Sequence, residues 1–173
     1  MSPHHVDPYR LAVFSGTFDP FTLGHLGLIG RGCRLFDHLK IGIGVNPNKT
    51  SLFSIEERVE MARQVTAGFS NVSVESFEGL TVDFVRRIGA RVILRGLRTL
   101  TDMEYEFGMT LTNHQLDPEI ETVFLMADAE HSHVSSTLIK QVARFGGADA
   151  LRRFVPELVV QPILATLGKG LAP

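Results

Sequence analysis

Several groups of residues in this 173-residue chain have the types and spacing to handle phosphate. The first lies in Phe14-Ser15-Gly16-Thr17-Phe18-Asp19-Pro20-Phe21-Thr22-Leu23-Gly24-His25. That stretch follows an apolar run, Leu11-Ala12-Val13-Phe14, which reads as a buried first strand. It precedes an apolar-periodic helix that begins near Gly24. In an α/β fold a ligand sits outside the carboxyl end of a strand, facing a helix N-terminus. Gly16 and Gly24 carry no side chain where a phosphate would approach the backbone. His25 falls on the first helical turn, where the helix dipole and an imidazole N–H both point at negative charge. The alternative is a tight turn with an ordinary helix-start histidine. A second group is Arg95-Gly96-Leu97-Arg98, after a buried strand. One arginine there is common; two at this spacing are a phosphate signal. The third, Val134-Ser135-Ser136-Thr137, opens a helix. Ser and Thr in that place serve first as caps, and they also present hydroxyls and free amides to phosphates. Taken alone, Lys49 in Asn46-Pro47-Asn48-Lys49 is a solvated loop lysine and Glu106 a solvated helix-face charge. Asp19 reads as structural, capping the turn before Pro20.

These groups must be positioned by alternating strands and helices. The first strand spans 10–14 and the first helix 24–36, with Leu26, Ile29, Cys33 and Phe36 on one face. Strands at 39–45, 72–76, 90–94 and 122–126 are mostly apolar, as parallel strands covered on both faces should be. The capping box Ser54-Ile55-Glu56-Glu57 opens a helix with Ile55, Val59, Ala62 and Thr66 on one side. A short helix covers 81–88. Thr101-Asp102-Met103-Glu104 reads as a second capping box, opening a helix to about Leu116. A helix over 136–145 ends at Gly146-Gly147, and Pro156 stands before a last helix, 157–167. Such alternation implies βαβ units, right-handed crossovers and a doubly wound five-stranded parallel sheet, an α/β Rossmann-like sandwich. We expect one domain over 10–168, with tails at 1–9 and 169–173. Neither GxGxxG after the first strand nor GxxxxGK(S/T) is present, so a nucleotide must be held by other means.

Composition narrows the class further. Hydrophobic residues make up 44% of the chain and the net charge is −2. The first argues against disorder and the second against a nucleic-acid binder. A lone cysteine, Cys33, allows no internal disulfide, and its place in the first helix suggests core packing. No apolar run reaches membrane-spanning length, and 1–8 lack a hydrophobic secretory segment. A cytoplasmic protein without membrane partners is the default expectation. His4 and His5 read as tail residues rather than a metal site.

Gly16-Thr17-Phe18-Asp19-Pro20-Phe21-Thr22-Leu23-Gly24-His25 resembles the (T/S)xGH signature of the phosphopantetheine adenylyltransferase family of nucleotidyltransferases. Asn46-Pro47-Asn48-Lys49, Arg95-Gly96-Leu97-Arg98, Asp102-Met103-Glu104-Tyr105-Glu106 and Val134-Ser135-Ser136-Thr137 are similar to its other motifs, in the family's order, so that the likeness runs from about Leu11 to Leu167. The resemblance implies that ATP and 4′-phosphopantetheine react to give dephospho-coenzyme A and pyrophosphate. It makes His25 the catalytic donor to the α-phosphate. It places Thr17, Lys49, Thr81, Arg95, Met109 and Asn113 on phosphopantetheine. It assigns Thr17, Phe18, His25, Gly96, Leu97, Arg98, Glu106, His131, Ser132, His133, Val134, Ser135, Ser136 and Thr137 to ATP. Magnesium is expected to arrive on ATP, with no permanent metal site on the protein. A homohexamer and inhibition by coenzyme A at the same site are further implications.

The chain departs from the family pattern at Leu23, often asparagine there, at His131 and His133, commonly aromatic, and at Thr112, frequently methionine. These bear on fine substrate contacts rather than on the catalytic centre. Two alternatives remain at this level: an adenylyl- or cytidylyltransferase for another acceptor, and a catalytically silent nucleotide-binding module. Intact His25 and Lys49 argue against the latter.

Overall fold

A computed structural model describes residues 10–45, 50–130 and 134–168. The expected tails at 1–9 and 169–173, the Asn46-Pro47-Asn48-Lys49 turn and His131 to His133 lie outside these residues. The elements run β1 (Leu11–Gly16), α1 (Leu23–Leu35), β2 (His38–Gly44), α2 (Ile55–Thr66), β3 (Val72–Phe77) and α3 (Thr81–Arg87). They continue with β4 (Val92–Leu97), α4 (Leu100–Leu116), β5 (Glu121–Met126), α5 (Ser136–Leu151) and α6 (Glu157–Gly168). The strands form one parallel sheet in the order β3-β2-β1-β4-β5.

That order decides which face each helix covers. The chain moves outward from β1 to β3, then returns across to β4 and β5. Right-handed crossovers therefore send α1 and α2 to one face and α3 and α4 to the other. The core divides accordingly. Ala12, Phe14, Leu39, Ile41, Val92 and Leu94 pack with Leu28 and Ile29 of α1, Val59 and Ala62 of α2, and residues of α5 and α6. Val13 and Ile93 pack with Val82, Phe84 and Val85 of α3. Alternate strand residues thus serve opposite faces.

β1 and β4 pair only over Ala12–Phe14 and Val92–Leu94. Beyond that point β1 continues along β2 to Gly16, and β4 continues along β5 to Leu97. The two central strands part, and a crevice opens between their carboxyl ends. This is the topological switch point of the sheet, the usual ligand position in such folds.

Several boundaries differ from the expectation. β4 runs three residues past Leu94, because Arg95, Gly96 and Leu97 pair with Phe124, Leu125 and Met126; the arginine motif starts inside the strand, not in a loop. The cap of α4 is Thr99, whose hydroxyl accepts from the Asp102 amide at 3.1 Å, so Thr101 opens no capping box. α5 extends to Leu151, interrupted at Gly147 with φ 65°, a left-handed angle glycine adopts without strain. α1 buries Leu28, Ile29 and Gly32, while Leu26, Cys33 and Phe36 are half-buried against the core. The Ser54–Glu57 capping box forms as expected.

Gly42 of β2 faces α3, where the rings of Phe77 and Phe84 stack at a centroid distance of 4.5 Å. A Cβ at this position would lie 2.7 Å from the Phe84 ring and 3.1 Å from Phe77. Gly42→Ala should therefore destabilise the protein by about 1–3 kcal/mol, the usual cost of overpacking. Denaturant unfolding checks this; an unchanged midpoint would show that the stacked rings shift freely.

Candidate active site

A cavity of about 210 Å³ occupies the crevice. Of the expected residues it is lined by Phe18, His25, Arg95, Gly96, Arg98, Glu106, Val134, Ser135 and Ser136, together with Ser15, Gly16, Thr22 and Gly24. Four sequence-distant segments meet here because each ends at the same edge of the sheet.

His25 is held by the start of α1. Thr22 is the N-cap: its hydroxyl accepts from the His25 amide at 3.2 Å, and the Thr22 amide donates to His25 Nδ1 at 3.0 Å. This is a capping box with histidine where glutamate usually stands. Because Nδ1 accepts, the ring proton resides on Nε2. The ring is enclosed by aromatic neighbours: Phe14, Phe18 and Phe21 lie at centroid distances of 6.3, 4.9 and 5.5 Å. Burial, aided by the Arg98 charge, lowers the His25 pKa to about 4. The imidazole is thus a neutral donor at physiological pH. The Leu23 amide donates to Phe154 O at 2.8 Å, so two first-turn amides are used within the protein; Gly24, between them, lines the cavity.

The two arginines approach from different faces. Arg95 shares the parity of Ile93, on the α3/α4 side. Its Nη1 donates to Ser15 O at 2.9 Å, bridging the gap where β1 and β4 no longer pair. Its Nε lies 3.3 Å from Glu106 Oε2 on α4. Gly96 points the opposite way; a Cβ there would fall 2.3 Å from Leu28 of α1. Arg98 follows on that side, donating to Val134 O at 2.9 Å and to the Asp102 carboxylate at 3.0 and 3.3 Å. Ser135 caps α5 by accepting from the Leu138 amide at 3.1 Å. The Ser136 hydroxyl donates to Pro20 O at 3.3 Å.

Thr17 and Thr137 line a neighbouring cavity of about 130 Å³, shared with Asp19, Thr50, Ser51, Arg58, Ser136 and Lys140. This network escaped the sequence reading. Asp19 does not cap its own turn. Its buried carboxylate accepts from the Leu52 amide at 3.0 and 2.8 Å and the Phe53 amide at 3.0 Å, and pairs with Lys140 at 2.8 Å. Arg58, buried, donates to Thr17 O at 2.9 Å and Ser54 O at 3.3 Å. Phe18 sits at φ 47°, a left-handed angle rare for a side-chain-bearing residue. The loop after β1 is therefore fixed from three sides.

Other expected residues are placed elsewhere. Leu97 is buried without lining either cavity, and Thr81, Met109 and Asn113 line neither. Asn113 is buried and Met109 half-buried along the helix that carries Glu106. Lys49, His131, Ser132 and His133 fall outside the described residues. Of the departures, the Thr112 hydroxyl donates to Gly108 O at 2.9 Å. A wider groove of about 630 Å³ lies between α2, β3 and α3, but among the described residues Glu56, Glu78 and Asp83 line it with only Arg87 opposing. Such a wall repels phosphates. Among the described residues, no three His, Cys, Asp or Glu side chains come together to hold a metal ion.

The parallel sheet with a cationic, histidine-bearing crevice at its switch point defines an α/β nucleotidyltransferase. The cytidylyltransferase-like family model matches residues 13–142. A nicotinic acid mononucleotide adenylyltransferase of Plasmodium falciparum, solved with NaAD, superimposes with a TM-score of 0.68 over 93% of this chain and 96% of that one. At 12% identity, that likeness speaks for the fold. Sequence relatives are much nearer. The phosphopantetheine adenylyltransferase of Rhodopirellula baltica is 50% identical over 92% of this chain and 89% of its own. That of Clostridium botulinum (strain Eklund 17B) is 49% identical over 90% and 96%, and that of Caldanaerobacter subterraneus 43% over 93% and 99%. The chain belongs to the phosphopantetheine adenylyltransferase family.

The His25 ring should titrate by NMR with a midpoint near 4, not near 6.5. Below about pH 6.5 the unfolded chain takes up a proton that the folded ring refuses until about pH 4. This group's contribution to stability therefore falls as pH drops through that window. A midpoint near the ordinary value would show an exposed, protonatable ring.

Proposed function

We propose that this crevice transfers the adenylyl group of ATP to 4′-phosphopantetheine, releasing pyrophosphate and forming dephospho-coenzyme A in coenzyme A biosynthesis. The observation that carries the reading is the placement of two cationic groups on opposite faces of one parted strand pair, with a neutral imidazole donor at the opening. An oxygen of the acceptor phosphate attacks the α-phosphorus; the new P–O bond forms as the bond to the β-phosphate oxygen breaks, and pyrophosphate leaves. Charge grows on the non-bridging α-phosphate oxygens, and His25 Nε2–H donates to it. Being neutral and fixed by Thr22, the ring needs neither deprotonation nor reorientation, which is how preorganised donors work. No covalent enzyme intermediate is needed; positioning and electrostatics suffice for this chemistry.

Arg98, Gly96, Val134, Ser135 and Ser136 stand on the His25 side and serve ATP, with Thr137 reached through the adjoining cavity and Thr17, lining that same cavity, serving both substrates. Arg95 stands on the other side and serves the acceptor phosphate. Phe18 contributes its strained backbone at the adenylate. Glu106, Leu97, Thr81, Met109, Asn113, Lys49 and His131 to His133 keep the roles that the family resemblance gives them. Magnesium arrives with ATP, as the family resemblance implies. Exposed apolar side chains along α4, including Leu100, Tyr105, Phe107 and Leu111, support a homo-oligomer, which we read as the family's hexamer. Coenzyme A, sharing the phosphopantetheine arm, is an inhibitor at this site. No helix of the described residues is long and apolar enough to cross a membrane. From its membership of a biosynthetic enzyme family we place the enzyme in the cytoplasm.

A pyrophosphate-release assay over a panel of nucleotides and acceptors tests the assignment: ATP with 4′-phosphopantetheine should be preferred, and preference for CTP or another acceptor would overturn it. His25→Ala should lower turnover about a hundredfold or more with little change in ATP affinity. Arg95→Ala should mainly raise the KM for phosphopantetheine and Arg98→Ala that for ATP, each by roughly 1.5–3 kcal/mol. Equal shifts of both constants in both variants would mean a single shared phosphate clamp.

A further inference from the structure

Two buried side-chain atoms among the described residues, Ser15 Oγ and Glu106 Oε2, have no hydrogen-bond partner, and both residues line the active-site cavity. Glu106 Oε2 has at least the Arg95 charge 3.3 Å away. Ser15 has nothing comparable, although the residue is 4% exposed. Native interiors rarely leave a buried hydroxyl unbonded, and an orphan at a functional cavity asks what it is kept for. Its orientation follows from the sheet. Ser15 pairs with Gly42, and a Cβ on Gly42 would meet Phe84 and Phe77, so Ser15 faces the α3/α4 side. That is the face of Arg95, which holds the Ser15 carbonyl at 2.9 Å. His25, Arg98 and Ser136 belong to the opposite side.

We propose that Ser15 is a specificity-determining residue: its hydroxyl donates to the phosphate monoester of the acceptor, beside the Arg95 guanidinium. The inference rests on the acceptor-side reading of Arg95 given above. A hydroxyl next to a guanidinium can donate to an anion without competing for the cation's own proton donors. Together they form a two-pronged site, with charge from Arg95 and direction from Ser15. The hydroxyl is idle until that anion arrives, so it contributes to recognition rather than to the resting fold.

Calorimetry with 4′-phosphopantetheine and with unphosphorylated pantetheine, on wild type and Ser15→Ala, tests this. Ser15→Ala should bind phosphopantetheine on the order of tenfold more weakly, as for a lost hydrogen bond to a charged group. Its KM for phosphopantetheine should rise in proportion, with the KM for ATP unchanged. Pantetheine should bind both proteins equally. The melting temperature of free Ser15→Ala should not fall, because the hydroxyl has no partner to lose. Ser15→Cys, of similar shape and a weaker donor, should fall between. Unchanged phosphopantetheine affinity in Ser15→Ala, an equal loss for pantetheine, or lowered stability with affinity kept would each overturn the assignment to Ser15 while leaving the reaction in place. Failure of wild type to bind phosphopantetheine at all would overturn both.

Discussion

The site depends on one break in a ladder: β1 and β4 stop pairing after Phe14 and Leu94. While two parallel strands are hydrogen-bonded, their edges offer no room for a ligand. Once they part, carbonyls that would have faced a neighbour need another donor, and Arg95 supplies one to Ser15 O. The same break gives the crevice two unlike walls. Strand alternation sends Arg95 toward α4, while Gly96 clears the α1 side, where Arg98 reaches Val134. On the reading proposed above, the acceptor phosphate then meets the α-phosphorus of ATP with a separate counter-charge on each side.

Rigidity of the loop after β1 is the second ingredient. Asp19 fastens it to Leu52 and Phe53 and to Lys140 on α5, and Arg58 fastens the Thr17 carbonyl to α2. These ties are buried or half-buried, where charged hydrogen bonds are strong and where losing one partner strands another. They hold Phe18 in its left-handed conformation, and Phe18 in turn walls the His25 ring. Burial among three phenyl rings, with the Arg98 charge beside it, keeps the imidazole unprotonated at physiological pH.

Much of this was legible in the sequence, and the parts that were not share a cause. Five strands, the order of helices, the Ser54–Glu57 cap and the gathering of His25, Arg95, Arg98 and Ser136 follow from local pattern and motif. Thr22–His25 hid because a capping box is sought by its acid, and histidine is no acid. Arg95-Gly96 looks like a turn, yet pairing with β5 keeps it in the strand. Thr101 offered the better-looking box, but the geometry chose Thr99. Asp19 finds its partners 33, 34 and 121 residues away, and Arg58 its carbonyl 41 away. No window of sequence reaches that far. The bare hydroxyl of Ser15 is legible only once its surroundings are known.

The capping box of α1 sets two demands on position 25 that favour different residues. As N3 of a cap, the position suits glutamate, which accepts the N-cap amide and complements the helix dipole. As the donor proposed above for the α-phosphate, it would face a crowded cluster of phosphates, where an anion is repelled. Histidine fills both roles, the first less well than an acid would. Helix α1 therefore begins with a weaker clasp than its own sequence position permits, and on the role proposed for His25 the shortfall is set by the reaction rather than by the fold. Selection for thermal robustness alone would draw this residue toward glutamate, the very change that the role proposed for His25 forbids.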